Sequence, residues 1–365
     1  MNICIIGDGL TSLTLAKNLI NKKINVCIYR KKKAKSLSSN RTIGITKKNL
    51  DFIKKEIFKL KTKDTWKINK IEVFSEKSKD NKILNFEKDK DDLFYMIKND
   101  KFYKLLNQKL LKSKFFKSSV ITENVFYEEI INTRKYDLII NCDTNNKISK
   151  KFFYKKIDKD YYNLAYTAVL KHEKLENNTA TQIFTEGGPI AFLPISNIET
   201  SVVCSLEIKN KKYSNDEVWS LIKKNNPNLK IIKSSKLISF KLKSSNLRNY
   251  YYKNILAFGD LLHRIHPLAG QGFNMTIRDI RVIIDLIRIR KNLGLQLDQT
   301  INKDFESKSR HLNFIFSSGI DFIFEFFNFD NNYIKFYTNK IFKNLNKNKF
   351  LNKLIINFAD RGLSN

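Results

Sequence analysis

The sequence predicts an α/β chain: a parallel-sheet domain interrupted in sequence, a β-rich second domain and a helical C-terminal segment. Three observations predict it. The chain opens as strand, glycine turn, helix and strand, in NICIIG, DGLTS, LTLAKNLINK and INVCIY. Between Tyr161 and Phe240 the pattern changes to a succession of β-runs. After residue 250 a buried strand and a long amphipathic helix return. A chain of 365 residues exceeds one small core, and with 42% hydrophobic residues it can bury a substantial one.

The elements follow in order. NICIIG is a continuous apolar run, as a strand buried on both faces requires. Leu13, Ala16, Leu19 and Ile20 then recur at helical spacing, and INVCIY returns to β-branched residues. Strand, helix, strand makes a βαβ unit with a right-handed crossover. From Lys67, KINKIEVFSEKSKDNKILNF reads as a polar-edged hairpin, FYKLLNQKLLKSKFF as an amphipathic helix, and YDLIINCD as another buried strand. LAYTAVLKHE, IAFLPI and TSVVCSLEI read as mainly antiparallel strands. NILAFGD is again a buried strand. In the following GQGFNMTIRDIRVIIDLIRI, Phe273, Ile277, Ile280, Ile284 and Ile287 form one apolar stripe. Asp279 and Asp285 fall on the opposite face of that helix and are expected to be solvated. The domain limits are therefore 1–66, 96–157 and 250–300 for the interrupted domain, 67–95 and 158–249 for the β-rich domain, and 301–365 for the helical segment.

The formal charge is +32. An anionic partner is one explanation. The lysines recur along the whole chain, however, as a biased composition produces, and no aromatic-interleaved basic stripe or nucleic-acid module accompanies them. No nucleic-acid partner is expected. Four cysteines lie far apart without a CxxC pair, which points to thiols in a reducing compartment. The chain begins inside a strand, leaving no room for a signal peptide, and no run reaches the roughly 18 apolar residues of a membrane span. A cytoplasmic location, peripheral on the inner membrane at most, is the expectation.

Two glycine-rich turns carry the chemistry. GDGLTS is a GxGxxG-type turn with Ser12 in place of the third glycine. Gly7 permits the bend, Gly9 lets backbone N–H groups approach a pyrophosphate, and Ser12 is small enough for close helix packing. The acid that usually binds the ribose roughly 20 residues later is missing. Arg30 and three lysines stand there instead, and no acid occurs between Asp8 and Asp51. Arg30 either receives a phosphate or marks a lost ribose contact. The second turn is GDLLHRIHPLAGQGFN, residues 259–274, which holds three of the 11 glycines and one of the four prolines. His263 and His266 have no evident third ligand, so a structural role outweighs a metal site.

The residues GDLLHRIHPLAGQGFNMTIRDI resemble the GDAAHxxHPxAGQGxNxGxxD signature of class A FAD-dependent aromatic monooxygenases, specifically the ubiquinone-biosynthesis hydroxylases. The resemblance covers nearly the whole chain: RTIGIT at 41–46 is similar to the family's RxIALS, FYMIKND to its VVxN stretch, GGPIAFLPI to GPxAxLP, and YDLIINCDTNNKISKK to DLVVGADGxxSxVR. It implies a Rossmann-like FAD-binding domain and a β-sheet substrate domain covering the flavin. The implied reaction is hydroxylation of a prenylated phenol or quinone precursor through a flavin C4a-hydroperoxide. NAD(P)H or another reductant supplies electrons and O2 is the co-substrate. By the same resemblance Asp260 meets the ribityl hydroxyls, and Pro267 with the Gly270–Gln271–Gly272 turn lies against the isoalloxazine edge. Phe273 follows in that turn, Asn274 contacts the flavin carbonyls, and Arg41 approaches the ring or the pyrophosphate. No catalytic acid or nucleophile is implied.

The departures are Ser12 and Thr276 for glycines, Arg30 for the ribose acid, Thr144 for the glycine after Asp143, and Leu261-Leu262 for two alanines. They bear on cofactor affinity rather than on fold, and they leave open a catalytically silent, flavin-poor scaffold for the other pathway proteins. LNFIFSSGIDFIFEFFNF, at 312–329, either lines a tunnel for an isoprenoid tail, dips into an anionic bilayer surface, or packs as a helix on the domain interface.

Overall fold

The computed structural model describes residues 1–31, 41–76, 82–87, 93–121, 130, 135–209, 211–266 and 271–328. Strand Asn2–Ile6 lies inside a six-stranded sheet, between strands Leu138–Asn141 and Asn25–Lys31 and parallel to both. Ile3 to Ile6 are fully buried, as their unbroken apolar run requires for a strand covered on both faces. Strand Phe116–Ile121 extends the sheet on one side, and Ile255–Ala257 with Tyr251–Tyr252 completes the other. The last parallel strand thus arrives more than a hundred residues after Leu138–Asn141, so the sheet is assembled from both ends of the chain.

One reading of the sequence needs correction. The helix expected to run through KSKFF is Asn99–Leu111, and Phe116 begins a strand paired in parallel with Asn25–Lys31. Helical periodicity continued beyond Leu111, but an edge of the sheet was free to take the next segment.

The second sheet has nine strands, and the 17-residue Lys156–His172 is its spine. It pairs antiparallel with Glu199–Glu207 on one side and with Ile238–Leu247 on the other. A bulge at Asp160/Asn163 bends it, with Tyr162 at φ 53°. Helix Asn215–Lys224 covers its outer face. Ser214 Oγ accepts the Glu217 amide at 3.2 Å, the Glu217 carboxylate accepts the Ser214 amide at 2.8 Å, and Val218 and Ile222 are buried in the cluster beneath.

The expected hairpin from Lys67 is split. Trp66–Ile68 joins Phe94–Lys98 and Thr42–Thr46 in a separate three-stranded sheet, while Lys70–Ser75 and Lys82–Glu87 pair at the edge of the large one. The break falls at Asn69, whose amide donates to the Asn178 carbonyl.

Helix Gln271–Asn292 carries the expected stripe: Ile277, Ile280, Ile284 and Ile287 are buried in the main core, with Phe273 packed against it. Asp285 is exposed, but Asp279 is not solvated as the helical wheel suggested. It is buried and accepts from His263, because helix Gln299–Asn328 covers that face. The C-terminal segment beyond residue 328 lies outside the described residues.

Candidate cofactor and substrate site

Gly7 has φ +115°, donates its amide to the Tyr29 carbonyl at 2.9 Å, and leaves room for a Cβ only against Asp143 and Cys142 at 3.4–3.5 Å. Such a bend is accessible to glycine and strained for other residues. Gly9 ends the turn as the N-cap of helix Leu10–Asn21, with no side-chain cap. A Cβ built on Gly9 would meet nothing within 4 Å. The turn is therefore open at Gly9, where an anion can come to the backbone.

The second motif closes on the first. Gly259, at φ +61°, would place a Cβ 2.7 Å from Thr11 Cγ2, so its backbone crosses directly over the start of the helix. Asp260 follows and is exposed. Together with Thr144, Asn145, Lys150 and Arg264 it lines a cleft of about 500 Å3. The partly buried Cys142 thiol reports the crowding of acids here. Burial pushes its pKa up to about 12, the Ser12 hydroxyl opposes that, and Asp260 and Asp143 add to it.

Asp143 receives Lys31 Nζ at 2.7 Å, an ion pair at the far end of strand Asn25–Lys31. Arg30 points elsewhere: its Nη2 donates to Asn107 Oδ1 at 2.9 Å on helix Asn99–Leu111. The neighbouring Tyr103 hydroxyl is pushed upward by burial, with Arg30 opposing and Asp8 adding to the shift. The adenosine end of a dinucleotide would meet these residues, with cationic and neutral donors in place of an acid.

Most departures from the family pattern are absorbed without strain. Thr144 is not among the non-glycine residues of positive φ. Its turn is held by Asn141, Asn146 and Ser149: Asn141 Nδ2 donates to Ser149 Oγ at 2.9 Å, and Asn146 Oδ1 accepts the Ser149 amide at 2.7 Å. Leu261 and Leu262 are buried in the core, and Thr276 Oγ1 donates to the Gly272 carbonyl at 3.3 Å.

The flavin-facing segment is described in part. Pro267 and Gly270 lie outside the described residues, as does the Gln271 side chain. A Cβ on Gly272 would make ordinary contact with Ile265 at 3.8 Å. Phe273 packs edge-on against Phe102, centroids 6.0 Å apart, and so faces the core. The buried Asn274 is engaged by protein: its Nδ2 donates to Gly44 O at 2.9 Å, and its Oδ1 accepts from the Thr46 amide at 3.1 Å and Asn49 Nδ2 at 2.9 Å. It ties the helix start to strand Thr42–Thr46. Arg41, just before that strand, is exposed and holds its guanidinium 5.0 Å over the Phe240 ring.

Two groups were not legible in sequence. His263 and Asp279 form a fully buried pair, and the second Asp279 oxygen accepts from Asn313 Nδ2 at 3.2 Å. Asn313 Oδ1 in turn accepts from Arg278 at 2.7 Å. This network binds strand His263–Arg264 to helices Gln271–Asn292 and Gln299–Asn328. His266 is buried edge-on against Tyr161 at 4.9 Å, and burial lowers its pKa to about 3, so it is neutral. It borders a small pocket of about 60 Å3 on the inner face of the large sheet, with apolar Ile71, Phe94, Leu193 and Val203 and polar Gln182 and Ser205.

These residues fit FAD at the points where they can be tested. There is an open helix N-terminus beyond a positive-φ glycine and a strand-end carboxylate beside it, and a mainly apolar pocket lies on the facing sheet. Among the described residues no cluster of His, Cys, Asp or Glu has the arrangement of a metal site.

Comparisons with known proteins agree with this geometry. A family model described as squalene epoxidase matches residues 136–360, more than half of the chain. The mitochondrial ubiquinone biosynthesis monooxygenase COQ6 of Dictyostelium discoideum is 24% identical over 416 aligned positions, covering 89% of this chain and 84% of that protein. The 3-demethoxyubiquinol 3-hydroxylase of Escherichia coli is 30% identical over 149, covering 39% and 38%. Among solved structures, p-nitrophenol 4-monooxygenase from Pseudomonas putida superposes with a TM-score of 0.79 at 12% identity, covering 100% of this chain and 98% of that one. Klebsiella pneumoniae HpxO, solved with FAD and uric acid, superposes at 0.72 and 10% identity, covering 99% and 96%. The chain belongs to the squalene epoxidase family, and it resembles the monooxygenases of ubiquinone biosynthesis.

Proposed function

We propose that the protein is an FAD-dependent monooxygenase that hydroxylates the aromatic ring of a prenylated phenol or quinone precursor in ubiquinone biosynthesis. The single observation that carries this reading is the convergence at Gly259. It brings the start of helix Leu10–Asn21 beside the strand-end carboxylate, and Asp260 shares its cleft with Lys243 and Ser244 of the large sheet. FAD, when bound, supplies the oxygen-activating chemistry, with electrons from NAD(P)H or another reductant.

The protein's own residues position and exclude. The amides after Gly9 and the positive end of helix Leu10–Asn21 would hold the pyrophosphate. Asp260 would accept from the ribityl hydroxyls, and Lys31 would neutralise Asp143 beside them. The His263–Asp279–Asn313 network would hold helix Gln271–Asn292 against strand His263–Arg264. The small, mainly apolar pocket on the sheet would meet a ring substituent of the substrate and keep water from it, with neutral His266, Gln182 and Ser205 as its polar edge. No side chain need act as nucleophile.

Nothing in the comparisons favours the catalytically silent scaffold. The test is direct. The purified protein, after addition of FAD, is expected to show flavin absorption bands and to convert a prenylated phenol with consumption of O2 and reductant. Absence of both would overturn the assignment. Expression in bacterial strains blocked at single hydroxylation steps would identify the ring position.

A peripheral site at an anionic membrane surface, and contacts with other pathway proteins, belong to the same proposal. Exposed Phe314, Ile315 and Phe322 on the last described helix support a membrane contact.

A further inference from the structure

Helix Gln299–Asn328 and the end of the large sheet enclose a groove of about 600 Å3. It shares no lining residue with the cofactor cleft or the His266 pocket. Ile157 lines the groove, whereas Lys156 and Asp158 line the cofactor cleft, so the two lie on opposite faces of the spine strand. On the helix wall Lys303, Ser307, Arg310 and Phe314 step by four, three and four, which is one helical face. On the sheet wall Ile157 pairs with Asn246, and Arg248 follows where strand Ile238–Leu247 ends. Both walls are held. The Arg248 amide donates to the Lys155 carbonyl at 2.9 Å, and Asn246 Nδ2 donates to Ser317 Oγ at 2.9 Å, tying strand to helix.

The groove combines cations with exposed hydrocarbon. Arg248, Lys303 and Arg310 line it and are exposed. Among the described residues neither Arg248 nor Lys303 has an ion pair. The carboxylate that lines it, Glu306, accepts the Tyr250 amide at 3.0 Å and stands 3.9 Å from Arg310, so two cations remain unopposed. Ile157 and Phe314 are exposed in the same groove, and Ile315 and Phe322 continue the apolar surface along the helix. Such a site suits a ligand whose fixed negative charge is joined to hydrocarbon. A small free anion would leave the apolar wall in water, and an apolar chain alone would leave the cations unpaired.

We propose that this groove binds the headgroup of an anionic phospholipid, its phosphate held by Arg248, Lys303 and Arg310. Phe314, Ile315 and Phe322 then enter the bilayer beside it. The inference rests on the membrane-surface reading above and gives that contact a defined site.

Two variants and two forms of lipid test it. Arg248→Glu with Lys303→Glu reverses the unopposed cations at exposed positions, so the fold should hold. Lys171→Glu with Lys212→Glu makes the same change of charge at exposed positions elsewhere on the β-rich domain. The wild-type protein is expected to sediment with vesicles of phosphatidylcholine and phosphatidylglycerol. The groove pair should weaken that binding by about tenfold or more, and the control pair by no more than about threefold. Dihexanoylphosphatidylglycerol, kept monomeric, is expected to raise the melting temperature of the wild-type protein and not that of the groove pair. Inorganic phosphate at the same concentration should raise neither. Equal weakening by the two pairs would mean diffuse surface charge and overturn the groove, as would no effect of the groove pair in either assay. An equal rise with inorganic phosphate would mean a free-anion site and overturn the lipid. A rise with the short lipid that the groove pair loses, without sedimentation of the wild-type protein, would keep the groove and overturn the membrane reading.

Discussion

Gly259 shows how much one missing Cβ can carry. Gly259→Ala forces a methyl into Thr11 at a positive φ, and it is expected to cost roughly 1–3 kcal/mol of stability. A weaker FAD affinity should accompany that loss, and thermal melts with and without added FAD would read both. The opposite holds at Thr144. Its backbone is not left-handed, so Thr144→Gly, which restores the family residue, is expected to change the FAD dissociation constant by no more than about twofold. A large gain in affinity would mean that the turn is strained after all. Asp279→Asn removes one member of a fully buried pair and is expected to destabilise the fold by roughly 3–5 kcal/mol, measured by urea unfolding. His266 sets a pH dependence. Its folded pKa, about 3, lies below the ordinary 6.5, so the unfolded chain binds the extra proton between those values. Stability is therefore lost as pH falls from about 6.5 towards 3, by up to about 1.4 kcal/mol per pH unit. His266→Gln is expected to flatten that part of the profile, which unfolding midpoints across the range would show.

At the scale of elements, the last described helix illustrates why a dense run of Phe and Ile is ambiguous. Its two acids settle the inward face. Asp321 accepts from the Tyr161 hydroxyl and Glu325 pairs with Lys159, so both dock the helix on the strand spine. Phe316 and Ile320 are buried beneath it, whereas Phe314, Ile315 and Phe322 remain outside. The packing reading holds for one face, and the membrane proposal applies to the other. Phe314→Asp with Phe322→Asp is expected to abolish sedimentation with anionic vesicles at low salt while leaving the melting temperature nearly unchanged. Unaltered sedimentation would assign binding to the lysines alone. Elsewhere the strand Phe116–Ile121 escaped the sequence pattern because period and composition favour a helix through Phe115. Its identity comes from a vacant sheet edge beside Asn25–Lys31, which no local signal encodes.

At the scale of the molecule, the two halves of the cofactor site come from residues about 250 positions apart, and the charge of +32 is spread around both. Long-range attraction for an anionic cofactor, substrate or lipid should therefore fall with ionic strength. The chain by itself determined the βαβ opening, the interrupted order of strands, both glycine-rich turns and, through the motif around Gly259, the flavoprotein family. Those features are local: they depend on residue type and on spacing within a few turns or strands. Only the tertiary structure decided that Asp279 is buried against His263, that Asn274 bonds to strand Thr42–Thr46 and that Arg30 turns to Asn107. Each of these follows from which face a distant element covers. That choice is made by the packing of the whole core, and a helical wheel or a motif spacing carries no information about it.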